Sequence, residues 1–337
     1  MKQSFTIEIS PKSVLIAIVT ILLFVVAWKI RSVLMGLFVA YILMSGFAPL
    51  VDFLIKKGIN RSVAVAITYI LAIGFVALLL FSIIPPLIGQ IKEFVLKTPL
   101  YYDSAINIFQ NSNLPVVTSE NIANIISSRI DGALSNVLSV AMNVFSVFIS
   151  FITVAVFTFY LLLERRRLKE EIYIIFPNVE KKRITDLMEK IEKKLGSWLR
   201  GELALMFIVG SATYIGLFIL GVPYALPLAI IAGLFEIVPI IGPVLSSLPA
   251  IMVAFVHSPI LAIAVVALYI LVQQLENNFI VPRVMANAVG LSPIIIIISL
   301  LIGGSLFGLP GALLAVPAAG IIQVIFEDHL EHLRKES

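Results

Sequence analysis

The chain has 337 residues, 60% of them hydrophobic and 13% charged, roughly half the charged share of a soluble domain; mean hydropathy is +1.08. No soluble fold of this size has an interior able to hold so much apolar surface, so the bilayer is the solvent. The lack of cysteine excludes disulfides, thiol catalysis and cysteine metal sites, and the net charge of +4 lies between apolar runs, where it orients a membrane protein and offers no nucleic-acid surface.

In chain order, apolar runs long enough to span a bilayer fall at 13–28, 32–55, 62–86, 141–163, 202–222, 224–256, 260–281 and 291–326. They predict an all-α polytopic integral membrane protein of about eight segments, with residues 1–88 holding the first three. The first run has no small-residue cleavage site and is followed by another apolar segment, so it is expected to be retained. Residues 89–140 are polar enough for water. Within them Ser119 is a candidate N-cap, and Ile122, Ile126, Ile130, Ala133 and Val137 recur at helical spacing, predicting a small extracytoplasmic helical insertion. After the fourth segment, 141–163, residues 164–200 hold eleven Lys or Arg and are expected in the cytoplasm. Counting outward from there puts both termini in the cytoplasm, including the tail 327–337; Lys29, Arg31 and Arg283 fall on the wrong side.

In the basic stretch, Ile184, Leu187, Met188, Ile191, Leu195, Trp198 and Leu199 form one helical face, opposed by Lys182, Asp186, Glu189, Lys190 and Lys193. Such a helix either lies among lipid headgroups, with Trp198 at the interface, or packs on its own protein.

Within the spans of the C-terminal membrane domain, 201–326, the polar inventory is small: Glu202, Glu236, Gln273, Gln274, Glu276, Asn277 and Asn278. From Pro223 to Pro259 the apolar run is interrupted by Pro227, Pro239, Pro243 and Pro249, and Gly242 before Pro243 marks the expected break. Glu236 lies just ahead of it. An intramembrane carboxylate costs about 2.5–3.5 kcal/mol on insertion scales, so Glu236 is expected either to meet solute, cation and proton or to cap freed amides at the break. Gln273, Glu276 and Asn277 can share one helical face, lining a path or joining helices as polar glue. The run 291–326 is too long to cross once, and Gly303, Gly304, Gly308, Pro310 and Gly311 predict a broken or re-entrant helix. It echoes the earlier segment: Gly242-Pro243-Val244-Leu245 with Pro249-Ala250 matches Pro310-Gly311-Ala312-Leu313 with Pro317-Ala318, offset by 68. Paired interrupted segments of this kind meet at a midplane site in many secondary transporters.

Neither an HExxH nor a GxSxG motif suggests an enzyme, and without a GxxxxGK[ST] loop no ATP use and no cofactor is expected. His329 and His332, beside Asp328 and Glu331, fit a solvated helix end better than a metal site.

Taken together, the E-x-x-P-x-x-G-P element at Glu236, Pro239, Gly242 and Pro243, the Q-x-x-E-N-x-x-x-x-P element at Gln273, Glu276, Asn277 and Pro282, then Pro293 and the glycine-proline run from Gly303 to Pro317, resemble the AI-2E (autoinducer-2 exporter) family. The stretch AYILMSGFAPLVDFLIKKGINRSVA at 40–64 extends the similarity into the N-terminal half. The resemblance implies a bacterial inner-membrane protein, homo-oligomeric, associated with export of the furanone autoinducer-2, whereas some relatives resemble sodium or lithium ion/proton antiporters. A furanone needs hydrogen-bonding groups, which Gln273, Asn277 and Tyr269 could supply; a cation needs carboxylates, which Glu236 and Glu276 could supply. A membrane scaffold without transport is the alternative of another class. The partners expected are thus lipid, a small-molecule or cation substrate and further copies of the chain.

Overall fold

The structure is a computed structural model describing residues 11–78, 81, 137–175, 180–239, 241–285 and 290–336. The expected insertion at 89–140 lies outside them, apart from its last four residues, which open a helix. Helices α1 (Pro11–Lys29), α2 (Arg31–Lys56), α3 (Arg61–Leu78) and α4 (Val137–Ile175) come first. They are followed by α5 (Lys181–Ile219), α6 (Ala225–Phe235), α7 (Ile241–His257) and α8 (Pro259–Leu275), a π-helical turn (Glu276–Ile280), α9 (Val281–Val284) and α10 (Pro293–Glu336). No strand occurs among the described residues. Five helices, Arg31–Lys56, Arg61–Leu78, Lys181–Ile219, Pro259–Val284 and Pro293–Arg334, are long and apolar enough to cross a membrane, so the fold is that of an all-α polytopic membrane protein.

Helices α2, α3 and α4 pack through Met44, Val51, Ala64, Val65 and Leu162. Polar ties reinforce them: Arg61 Nη2 donates to the Leu162 carbonyl at 2.7 Å, and the Tyr69 hydroxyl donates to that of Ala155. At the end of the bundle that carries the basic stretch, called here the basic end, Arg165 joins three helices. It lies 2.9 Å from Asp52 on α2 and 2.6 Å from the buried Glu192 on α5.

Helix α5 has 39 residues, about 58 Å of rise against a hydrocarbon core of about 30 Å. It therefore stands out of the membrane at the basic end, unbroken between the amphipathic stretch and the span expected at 202. The apolar face is buried in the protein. Trp198 packs with Ile42, Leu195 and Val316, which corrects the headgroup reading of this helix: α2 and α10 cover the face that lipid would otherwise have taken.

The two overlong segments are helical hairpins. Gly308, at φ 64° and ψ −146°, interrupts α10 in a region that only glycine enters without strain, and the arms 293–307 and 309–336 fold back on each other. A methyl group at Gly303 would overlap the Gly311 carbonyl and one at Gly311 the Gly303 carbonyl, which a straight helix would hold about 12 Å apart. At the base of this hairpin Gln323 donates to the Gly290 carbonyl at 3.3 Å. Next to its tip the Phe307 ring lies 6.3 Å from that of Trp28, at the end of α1. The α10 hairpin thus enters from the basic end. Arg183 and Lys190 of α5 hold its outgoing arm through Asp328, at 3.2 and 3.4 Å, and Lys190 also pairs with Glu331 at 3.1 Å, so the expected cytoplasmic tail is a docked helix.

The α6–α7 hairpin enters from the opposite end. Leu228 of α6 and Ala250 and Ala254 of α7 share one cluster with Leu217 late in α5 and Ala262 early in α8, so the tip, described at 236–239, points back toward the basic end. This corrects the expected break site. Only Pro239 falls in the break; Pro227 and Pro243 sit in first turns, where an amide hydrogen lacks an intrahelical partner anyway, and Pro249 lies inside α7. Gly242 belongs to α7 and closes the break, since a methyl group there would overlap the Phe235 carbonyl.

Among the described residues, two of the eight expected crossing segments are thus hairpins. Arg283, an exception in the eight-span count, now falls at the basic end with the other cations. Arg31 remains an exception and stacks 4.5 Å from the Trp28 ring.

Two results are expected. Gly308→Ala and Gly242→Ala lower the thermal unfolding midpoint in detergent, by strain of about 1–3 kcal/mol at Gly308, while Gly74→Ala, which meets open space, does not. Arg165→Met leaves the buried Glu192 only Lys169, at 3.9 Å, and destabilises by about 3 kcal/mol; adding Glu192→Leu restores most of the loss in the same unfolding assay.

Candidate functional site

Four structural pieces surround a cavity of about 440 Å³. From α5 come Trp198, Glu202 and Leu205, spaced so that one helical face presents all three. The α6–α7 tip contributes Glu236 and Pro239, the end of α8 and the π-turn contribute Gln273, Glu276 and Asn277, and the α10 hairpin contributes apolar wall from both arms, including Ile296 and Val316.

The π-turn has a cause in the sequence. Pro282 has no amide hydrogen for the carbonyl four residues back and its ring crowds that position, so the chain widens ahead of it, and the Val281 amide bonds to the Glu276 carbonyl five residues away. Such wide turns gather at functional sites. Here the turn buries Glu276 while Gln273 and Asn277 also face the cavity.

The three carboxyl groups are removed from water: Glu202 is 4% exposed, Glu236 3% and Glu276 5%. Gln273 Nε2 donates to Glu276 Oε2 at 2.9 Å, and the Glu236 and Glu276 carboxyls lie within hydrogen-bonding reach of each other, with Glu202 near enough for its charge to act on both. Glu236 Oε2 has no hydrogen-bond partner. Among the described residues that line the cavity there is no Lys, Arg or His. Lys194 reaches the rim beside Gly290, and Arg283 is exposed. Charge developed on these carboxyls must be cancelled by a proton or a bound cation. No three His, Cys, Asp or Glu side chains among the described residues form a metal-ion site.

All four residues expected to line a pathway, Glu236, Gln273, Glu276 and Asn277, thus meet at one cavity. Glu202 was absent from that group, although its spacing from Leu195, Trp198 and Leu205 on the buried α5 face was available as a signal. Glu236 reaches the cavity on a hairpin tip rather than along a span. Of the expected helix breaks only Pro239 lines it. Gly242, Pro243, Gly303, Gly304, Pro310 and Gly311 shape the hairpins instead. Tyr269 points elsewhere, donating to the Ser246 carbonyl at 3.4 Å to tie α8 to α7.

Apolar helices, two oppositely entering hairpins and a cavity between them bearing three buried carboxyl groups define a multi-pass membrane protein of the transporter class. The AI-2E family transporter model matches residues 15–331, and the chain belongs to that family. It is similar to YrrI of Bacillus subtilis, 25% identical over 315 residues covering 90% of this chain and 87% of that protein. It is also 28% identical to YueF of the same organism and to YhhT of Escherichia coli, each match covering 88% of this chain and 84% of the relative. The names of all three place them among transport proteins.

With no native cysteine, accessibility can be read from single thiols. Asn277→Cys is expected to react with a membrane-impermeant methanethiosulfonate, whereas Ile260→Cys, on an exposed apolar face of α8, should not; mass spectrometry of the labelled protein checks both.

Proposed function

We propose that the chain is a gradient-driven secondary transporter of the bacterial inner membrane, with the carboxyl-lined cavity as its solute site and both termini in the cytoplasm. The observation that carries this is the convergence of Glu202, Glu236 and Glu276 from three separate elements on one cavity with no basic side chain in its described lining. Buried acids without a cationic partner are costly to keep, and a scaffold has no use for them. A transporter does, because loading and unloading a proton or cation there couples a gradient to solute movement.

Family membership makes export of a small solute such as autoinducer-2 the first activity to test, with the Gln273 and Asn277 amides as its hydrogen-bonding groups. The three carboxyls favour a second reading, sodium or lithium ion/proton antiport. In either case the oppositely entering hairpins are the elements that would rock about the cavity, and a homo-oligomer would hold the remaining helices fixed.

In proteoliposomes carrying an imposed pH gradient, wild-type protein is expected to move solute or alkali cation with proton counterflow. Glu236→Gln and Glu276→Gln should each lower the flux at least tenfold without changing the yield of folded protein. Full flux in both variants would remove the cavity from the pathway.

A further inference from the structure

The shape and chemistry of the cavity narrow the substrate class beyond either reading. At about 440 Å³ it has room for more than ten waters at about 30 Å³ each, far more than a bare alkali ion occupies. Its walls are mostly apolar. Trp198, Leu205, Leu291, Ile296 and Val316 face the space, and the polar groups gather around Glu202, Glu236, Glu276 and the Gln273 amide. The Gln273 donor is already engaged by Glu276, while Glu236 Oε2, on a side chain 3% exposed, lacks any donor. A partner for Glu236 Oε2 must bring its own donor, and the walls favour an apolar body.

We infer that the cavity binds a monovalent organic ammonium ion, its N–H groups on the Glu236 and Glu276 carboxylates and its apolar body along Trp198, Leu205 and Ile296. A flat aromatic body suits the Trp198 ring, and a cation near that ring gains further attraction when desolvated. The negative charge needed comes from the carboxyls alone, since the charged groups nearest the cavity outside its lining are Lys194 at the rim and the exposed Arg283. An anionic solute would meet three buried carboxyl groups and no basic side chain among the described residues that line the cavity. This inference rests on the cavity being the solute site, as proposed above.

The chain has two tryptophans, so Trp28→Phe leaves Trp198 as the sole indole reporter of the cavity. Titrating this protein in nanodiscs with 2-phenylethylammonium at constant ionic strength should give a saturable fluorescence change. The apparent affinity should be at least tenfold above that for neutral 2-phenylethanol, and Na⁺ alone should not reproduce the change. Glu236→Gln should weaken ammonium binding at least tenfold, whereas Glu171→Gln, on the exposed surface, should not. Should Glu236→Gln fail to fold, labelling of the wild type by dicyclohexylcarbodiimide serves in its place: adducts on Glu236 or Glu276, located by mass spectrometry, should fall when 2-phenylethylammonium is present. Equal affinity for alcohol and ammonium, saturation by Na⁺ alone, or labelling that the ammonium leaves unchanged would each overturn the inference. Proton-coupled flux of Na⁺ or of a neutral solute without ammonium binding would overturn it while leaving the transport proposal standing; absence of any carboxyl-dependent flux would bring down the transport proposal itself.

Discussion

A carboxyl group taken out of water must be given a proton, a cation or a basic neighbour, and this constraint organises the C-terminal half of the molecule. Glu202, Glu236 and Glu276 are almost wholly buried around one cavity whose described lining contains no basic side chain. The contrast with the basic end is instructive. There Glu192 is equally buried, but Arg165 holds it at 2.6 Å and ties it to Asp52, a fixed ion pair whose role is to join helices. The same side-chain type is held by an arginine at the basic end and has no basic neighbour among the described residues that line the cavity.

Helix interruption is what brings the acids together. Lipid tolerates broken helices only where protein or water receives the freed backbone groups, and each interruption here is sealed by a close glycine contact, Gly242 against Phe235 and Gly303 against Gly311. The α6–α7 tip delivers Glu236 to the cavity, the π-turn before Pro282 turns Glu276 inward, and the α10 hairpin supplies apolar wall. The 68-residue echo relates the Gly242–Pro249 stretch of the first hairpin to the Pro310–Pro317 stretch of the second. Their opposite directions of entry make the pair an inverted one, the arrangement that lets a single site be approached from either side of a membrane.

The N-terminal helices and the long α5 form the frame. Cluster packing around Met44, Val65 and Leu162, the Arg165 junction and the docking of Asp328 and Glu331 on Arg183 and Lys190 all lie toward the basic end. Movement of the α10 hairpin would have to draw on these contacts, which hold its outgoing arm but leave its tip near Trp28 with few polar ties.

Hydropathy alone determined that the chain is a helical membrane protein, and the motifs around Glu236 and Glu276 determined its family and four of the residues at the cavity. Those properties are local: apolar run length, proline and glycine placement, and the three- and four-residue spacings of a helix. Only the tertiary structure decided that the segments at 224–256 and 291–326 turn back instead of crossing, that Trp198 is interior rather than interfacial, and that Glu202 joins the other two acids. Each depends on which distant surface a residue meets. Proline and glycine show where a helix can break without fixing the angle at which the chain leaves, and a helical face shows what is apolar without showing whether lipid or protein will cover it.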